Sequence, residues 1–220
     1  MSTPRADLAA AGAHFAALGL SPGSSGNLSV RDGEHILITP TGADLARIDP
    51  GALSVLDPDG QYVDGPRPSK EFPLHTAFYR RNPEAGAVVH LHSRHATAVS
   101  CLPPWSPRSA VPPLTPYFVM RVGQTPLLPY APPGDAAQAE HLAGLGFPLR
   151  AALLQNHGPV VAGTDMGAAV ESAVELEEVS ALLLALGDRP ARLLSPEESA
   201  LLAAKYASPW GAGSGTGARA

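Results

Sequence analysis

The stretch Ala87-Val88-Val89-His90-Leu91-His92-Ser93 decides how this chain is read. Its valines and leucine favour a strand, and side chains on a strand alternate between its two faces. His90 and His92 therefore share one face, about 7 Å apart along the strand. Valines on both faces imply burial, where two imidazoles without partners would be costly. Taken alone, such a pair is either hydrogen-bonded histidines or two ligands of one metal ion. A transition metal needs at least one more nitrogen or oxygen ligand, with a position left open if the site is catalytic.

Candidates for those further ligands lie on both sides of the strand. His157 sits in Leu153-Leu154-Gln155-Asn156-His157-Gly158-Pro159, where an apolar strand ends in a turn, a good position from which to face a site. Glu71 lies in the first turn of a helix read as capped by Ser69 and running to about Arg81. A carboxylate there is favoured by the helix dipole, and beside a metal it can act as general acid or base. His75, one helical turn later, shares the face of Glu71 and reads as a packing residue. Ser25-Gly26-Asn27, Thr41-Gly42 and Ser69-Lys70 each join a small, backbone-exposing residue to a hydroxyl, amide or ammonium donor. Each is a turn by default; converging, they would cradle a phosphate without a Walker-type loop.

The rest of the chain alternates short strands with helices. Helices are expected over residues 6–18, 93–100, 136–145, 166–186 and 196–206, the longest capped by Asp165 and stopped by Gly187. Strands are expected over residues 28–31, 35–39, 53–56, 61–63, 117–122, 126–129, 151–155 and 160–162. Six prolines between Leu102 and Pro116 mark an irregular loop. Glu171, Glu175 and Glu178 read as a solvated helix face, and Cys101 as a small buried residue. The alternation argues for α/β or α+β with a mixed sheet. One domain is expected over residues 1–210, with a flexible Gly/Ser-rich tail over 211–220.

Composition limits the function classes. With 220 residues the chain is long enough to bury a sizeable core. A formal net charge of -5 and the lack of a basic block argue against a nucleic-acid partner. No apolar run approaches the ~20 residues of a membrane span. The single cysteine excludes a disulfide framework, and with no signal-peptide core a cytoplasmic location is expected.

Taken together, Ser25-Gly26-Asn27-Leu28-Ser29, Thr39-Pro40-Thr41-Gly42, Pro68-Ser69-Lys70-Glu71, His90-Leu91-His92-Ser93 and Asn156-His157-Gly158 resemble the class II aldolase/adducin family, in that family's order. The resemblance covers nearly the whole chain, and the set of motifs is far more specific than any one of them. It implies a three-layer α/β/α fold with a mixed, mostly antiparallel central sheet. It also implies one zinc ion per subunit, with manganese or another divalent metal as the alternative, and a homotetramer with active sites between subunits. By the same resemblance His90, His92 and His157 match the metal ligands, and Glu71 matches the catalytic acid/base that can itself ligate the metal. Ser25, Gly26, Asn27, Thr41, Gly42, Ser69 and Lys70 match phosphate-binding positions, and Tyr117 matches a tyrosine lent to the neighbouring subunit's site.

Within the family the chain is most similar to a decarboxylating branch. Lys70 beside Glu71, the run Leu114 to Gly123, Pro129-Tyr130 with Pro133-Gly134-Asp135, and Leu186 to Pro190 carry that likeness. It implies a small phosphorylated sugar acid as substrate, with a 3-oxo group and four carbons, decarboxylated through a metal-stabilised enediolate to dihydroxyacetone phosphate. Sugar-phosphate aldolase is the alternative activity, and a metal-free adducin-like module is a third reading. Sister epimerases carry aspartate at the position of Glu71, and sister aldolases carry a second serine at that of Lys70, where an ammonium would suit an extra substrate carboxylate.

Overall fold

A computed structural model describes residues 2–211 of the protein. Eight strands form one sheet in the order β4-β3-β2-β1-β5-β8-β7-β6. They are β1 (Asn27–Asp32), β2 (His35–Ile38), β3 (Ser54–Leu56), β4 (Tyr62–Asp64), β5 (Ala87–His90), β6 (Leu127–Leu128), β7 (Ala151–Leu154) and β8 (Gly158–Gly163). Only β6 and β7 run parallel; every other neighbouring pair is antiparallel. The helices are α1 (Pro4–Ala17), α2 (Phe72–Arg81), α3 (Arg94–Ser100), α4 (Ala136–Ala143), α5 (Met166–Leu186) and α6 (Pro196–Tyr206).

Strand periodicity sorts the core into two layers of side chains. Ala87 and Val89 of β5 face a cluster that contains Leu8 and Phe15 of α1, Val99 of α3, and Ala169, Leu176 and Val179 of α5. Val88, between them, faces Leu74, Phe78 and Tyr79 of α2 and Leu142 of α4. The sheet is thus sandwiched by α1, α3 and α5 on one face and α2 and α4 on the other, as expected for a three-layer α/β/α fold with a mixed, mostly antiparallel sheet. Each fully buried Leu or Phe contributes roughly 1.5–3 kcal/mol relative to exposure, so both apolar faces are strongly specified.

Two side chains, the buried Glu177 and the half-buried Arg81, tie neighbouring helices within each layer at points of functional interest. Glu177 of α5 accepts from the backbone N–H groups of His95 and Ala96, capping the start of α3 just after His92. Arg81, closing α2, donates to the carbonyls of Leu142, Ala143, Leu145 and Phe147 at the end of α4.

Several expectations are corrected. Residues 117–122, read as a strand, form a π-helical turn over Phe118–Val122. Phe118, Val119 and Val122 are buried at one-turn spacing, and the Thr115 hydroxyl accepts from the Phe118 N–H. Helix α2 begins at Phe72 rather than next to Ser69, with Glu71 as its N-cap residue. Pro73 fixes that start, because proline is accommodated only in a helix's first turn. Cys101 is exposed at the end of α3. Of the tail read as flexible, residues 212–220 lie outside the described residues, whereas the Gly211 N–H donates to the Gln124 side chain.

Candidate metal and substrate site

Strand pairing assembles the site. Asn27 at the start of β1 lies directly opposite His90 at the end of β5, and His90 lies opposite Val160 of β8. His90 leaves β5 on the α2 side of the sheet, fully buried, and its ring Nδ1 donates to the carbonyl of Pro159 at 2.9 Å. That bond fixes the tautomer and leaves Nε2 bare, the form in which a histidine binds a metal. His92 follows two residues on. His157 comes from the β7–β8 turn, which Asn156 enters with φ 57°. Gly158 lets the turn close, since a Cβ there would stand 2.4 Å from the Leu91 carbonyl.

The three imidazoles meet through their Nε2 atoms. His92 Nε2 lies 3.2 Å from His90 Nε2 and 3.0 Å from His157 Nε2. Glu71 closes the group, with one carboxylate oxygen 3.4 Å from His90 Nε2 and the other 3.5 Å from His157 Nε2. One ligand atom from each of the four residues lies within 4.8 Å of the others. Three ring nitrogens that face each other cannot all be satisfied by sharing protons, and Glu71 Oε1 is buried without a hydrogen-bond partner. A divalent cation would satisfy all four groups at once, so the residues fit one.

The electrostatics agree. Burial alone would push the Glu71 carboxyl up, but His90, the Asn27 amide, His157 and His75 outweigh it and hold the group below its ordinary range. Burial lowers the pKa values of His90 and His92 and takes that of His157 to about 4. The imidazoles are therefore neutral and the carboxylate charged at neutral pH, as ligation requires.

A cleft of about 220 Å³ opens in front of this group. Among its lining residues are Ser25, Gly26, Asn27, Thr41, Gly42, Ser69 and Lys70, together with Glu71, His92 and His157. The walls are stitched by backbone bonds from the Thr41 N–H to the Arg67 carbonyl and from the Ser69 N–H to the Thr39 carbonyl. Gly26 packs so tightly that a Cβ would lie 2.8 Å from the His90 carbonyl. Lys70 rests its aliphatic stem on Gly134, in the turn that also brings Pro133 to the cleft. Tyr117 does not line the cleft; it is 56% exposed.

Some residues around the site escaped the sequence reading. Gln138 of α4 is buried and lies 3.4 Å from His157 Nδ1. His75, read as packing, is hydrogen-bonded at both ring nitrogens: Nε2 to the Asn27 carbonyl oxygen at 2.5 Å and Nδ1 to the Ser29 hydroxyl at 2.7 Å. Ser29 in turn meets the Tyr79 hydroxyl at 2.9 Å. The available signal was spacing, because Glu71, His75 and Tyr79 recur every four residues on α2 and Asn27 and Ser29 every two on β1.

Burial also makes acid sensitivity a consequence of this layout. It lowers the His75 pKa to about 3 from 6.5, so at mildly acid pH the unfolded chain binds a proton there that the folded chain refuses. Stability of the metal-free protein is therefore expected to fall as pH drops from 6.5 toward 3, with His157 adding to the slope down to about 4. Thermal melts in chelator from pH 8 to 4 check this; a melting temperature unchanged between pH 7 and 5 would contradict it.

The chain belongs to the class II aldolase and adducin N-terminal domain family, whose sequence profile matches residues 6–184. Among its relatives, the 3-oxo-tetronate 4-phosphate decarboxylase of Pectobacterium atrosepticum is 45% identical over 199 residues, covering 90% of this chain and 91% of that one. The enzyme of the same name from Escherichia coli K12 is 48% identical over 186 residues, 84% of this chain and 87% of that one. The crystal structure of YgbL from Klebsiella pneumoniae superposes with a TM-score of 0.87 at 42% identity, over 92% of this chain and 100% of that one. L-fuculose phosphate aldolase of Escherichia coli K12 is further off, at 36% identity over 194 residues, 86% of this chain and 87% of that one.

Proposed function

We propose that the protein is a metal-dependent carboxy-lyase that converts 3-oxo-tetronate 4-phosphate to dihydroxyacetone phosphate and carbon dioxide. The observation that carries this reading is a buried three-histidine, one-glutamate cluster at the floor of a donor-lined cleft. Relatives of that name at 45–48% identity over most of the chain support the choice of substrate.

His90, His92 and His157 would hold the ion, and a site of three imidazoles with a carboxylate within reach suits zinc, with manganese second. The bound ion would supply Lewis acidity to the substrate's 3-oxo group, drawing in the negative charge that develops as the carboxylate leaves. The chain's own residues do the rest. A solvent proton, relayed by Glu71 or by a water it holds, reaches C2 after carbon dioxide has gone, which yields the product hydroxymethyl group. Thr41, Gly42, Ser69 and Ser25, with the Gly26-Asn27 backbone, grip the phosphate and so hold the substrate in register with Glu71. Lys70 adds a cation to the cleft wall, available to the phosphate or to the carboxylate of the incoming acid.

Tyr117, exposed on this chain, is assigned to a neighbouring subunit's site in a homotetramer with active sites between subunits. A cytoplasmic location is part of the proposal and rests on the single cysteine; among the described residues no helix is long and apolar enough to cross a membrane.

Aldol cleavage of a sugar phosphate breaks a carbon–carbon bond at the same position relative to the carbonyl, so the same metal site could serve it. A side-by-side assay separates the two. The purified metal-loaded protein is expected to release carbon dioxide and dihydroxyacetone phosphate from 3-oxo-tetronate 4-phosphate with a kcat/KM at least ~100-fold above that for fuculose 1-phosphate, about 2.7 kcal/mol of transition-state discrimination. Faster cleavage of fuculose 1-phosphate would overturn the assignment in favour of the aldolase.

A further inference from the structure

A buried polar ladder runs between the sheet and α2, through a core that is otherwise largely apolar. Asn27 and Ser29 project from β1, and Glu71, His75 and Tyr79 face them from α2 and its cap; none is more than 5% exposed. The direction of every bond follows from one end. The Glu71 carboxylate can only accept, so Asn27 Nδ2 donates to it, at 2.9 Å. The Asn27 carbonyl oxygen must then face His75, whose Nε2–H donates to it. That leaves His75 Nδ1 bare to accept from the Ser29 hydroxyl, and Ser29 accepts in turn from Tyr79. With an ionised Glu71 and a neutral imidazole at His75, no other arrangement of protons satisfies all five side chains.

We propose that His75 is a positioning residue: through the Asn27 amide it locks the Glu71 carboxylate in the orientation that faces the three imidazoles. Glu71 needs such a device because it caps α2 without using its side chain to do so. Its carboxylate is instead held from behind, and its Oε1 is left free on the imidazole side. Without the His75 donor the Asn27 amide is free to turn over and present its carbonyl to the carboxylate, which would drive Glu71 away. The ladder also redefines Asn27: one amide hydrogen is already committed to Glu71, so its side chain serves the acid/base before it serves a phosphate.

This inference rests on the metal-site reading above, so its test pairs turnover with metal affinity, which does not depend on the substrate. His75→Phe keeps the ring shape and removes both bonds. It is expected to lower zinc affinity of the apo protein about tenfold and kcat ~10–100-fold, with KM within about threefold. His75→Gln restores a donor at the place of Nε2 and is expected to recover both to within about fivefold. In a Glu71→Ala background, His75→Phe should change zinc affinity by less than about threefold, because its effect passes through the missing carboxylate. Should His75→Phe not fold, Ser29→Ala breaks the ladder one link further back and should lower affinity and kcat about threefold or more. Parent-level affinity and kcat in His75→Phe (or in Ser29→Ala, where it stands in), failure of His75→Gln to recover, or additive losses in the Glu71→Ala background would each reduce His75 to a packing residue. Tight zinc binding by the parent chain, weakened in His75→Phe, with no turnover of any sugar phosphate by the parent, would instead count against the proposed reaction and support the ladder.

Discussion

Glu71→Gln is expected to retain the metal and lose catalysis. The amide is isosteric, can still accept from Asn27 through its carbonyl oxygen, and leaves the three imidazoles untouched. What it cannot do is donate and recover a proton at carbon, and loss of a positioned acid/base costs typically 10²–10⁴-fold. A kcat reduced by that factor, at nearly unchanged KM and with close to one ion per chain, is the expected outcome of steady-state kinetics combined with metal analysis. KM should hold because, on the proposed reading, Thr41, Gly42 and Ser69 of the cleft grip the phosphate and the Glu71 carboxylate does not. Full activity in this variant would remove Glu71 from the chemistry.

His92→Ala is expected to fail differently, losing metal and turnover together. His92 is the residue whose Nε2 touches both of the other imidazoles, so it sits at the centre of the group. Two imidazoles and a carboxylate remain, so one of the four groups the parent gathers is lost and Glu71 must serve as a ligand instead of as the acid/base. Affinity should drop by a factor of ~100 or more, and activity with it, recovering only in part at high metal concentration. His92 is partly exposed and β5 has ended before it, so the fold should survive the change. The contrast between the variants separates the group that holds the ion from the group that moves the proton.

Much of this site could be read before any fold was available, and the reason is periodicity. The parity of Val88, Val89 and His90 along one strand sets the face that His90 takes, and the sheet keeps that parity against two distinct cores. β5 ends at His90, so His92, read as part of the same strand, reaches the site from the segment that follows. His157 was legible because a strand ending in Asn-His-Gly-Pro presents its histidine at a turn. The loops around Gly26, Thr41 and Ser69 were recognisable as donors, but only register brings them together, through β1 against β5 and the bond from Ser69 to Thr39.

The failures have physical causes too. Ser69 looked like an N-cap because serine ordinarily is one, yet Pro73 had already set where α2 could begin. Residues 117–122 looked like a strand because short apolar runs carry no period of their own, and burial at one-turn spacing decided for a helical turn. From sequence His75 reads as packing, because its hydrogen-bond partners, Asn27 and Ser29, are nearly fifty residues away on another element. Spacing shows that Glu71, His75 and Tyr79 share a face; it does not show what that face meets.

The account stands on one cation held by His90, His92 and His157 next to Glu71. Metal analysis and calorimetric titration of the chelator-stripped protein with zinc, run for the parent chain and for His92→Ala, address it directly. The predicted result is one ion per parent chain with submicromolar affinity, decarboxylation of 3-oxo-tetronate 4-phosphate that disappears on stripping and returns with one equivalent of metal, and neither property in His92→Ala. A stripped parent chain that decarboxylates at full rate, or a His92→Ala chain that binds zinc as tightly as the parent, would contradict it.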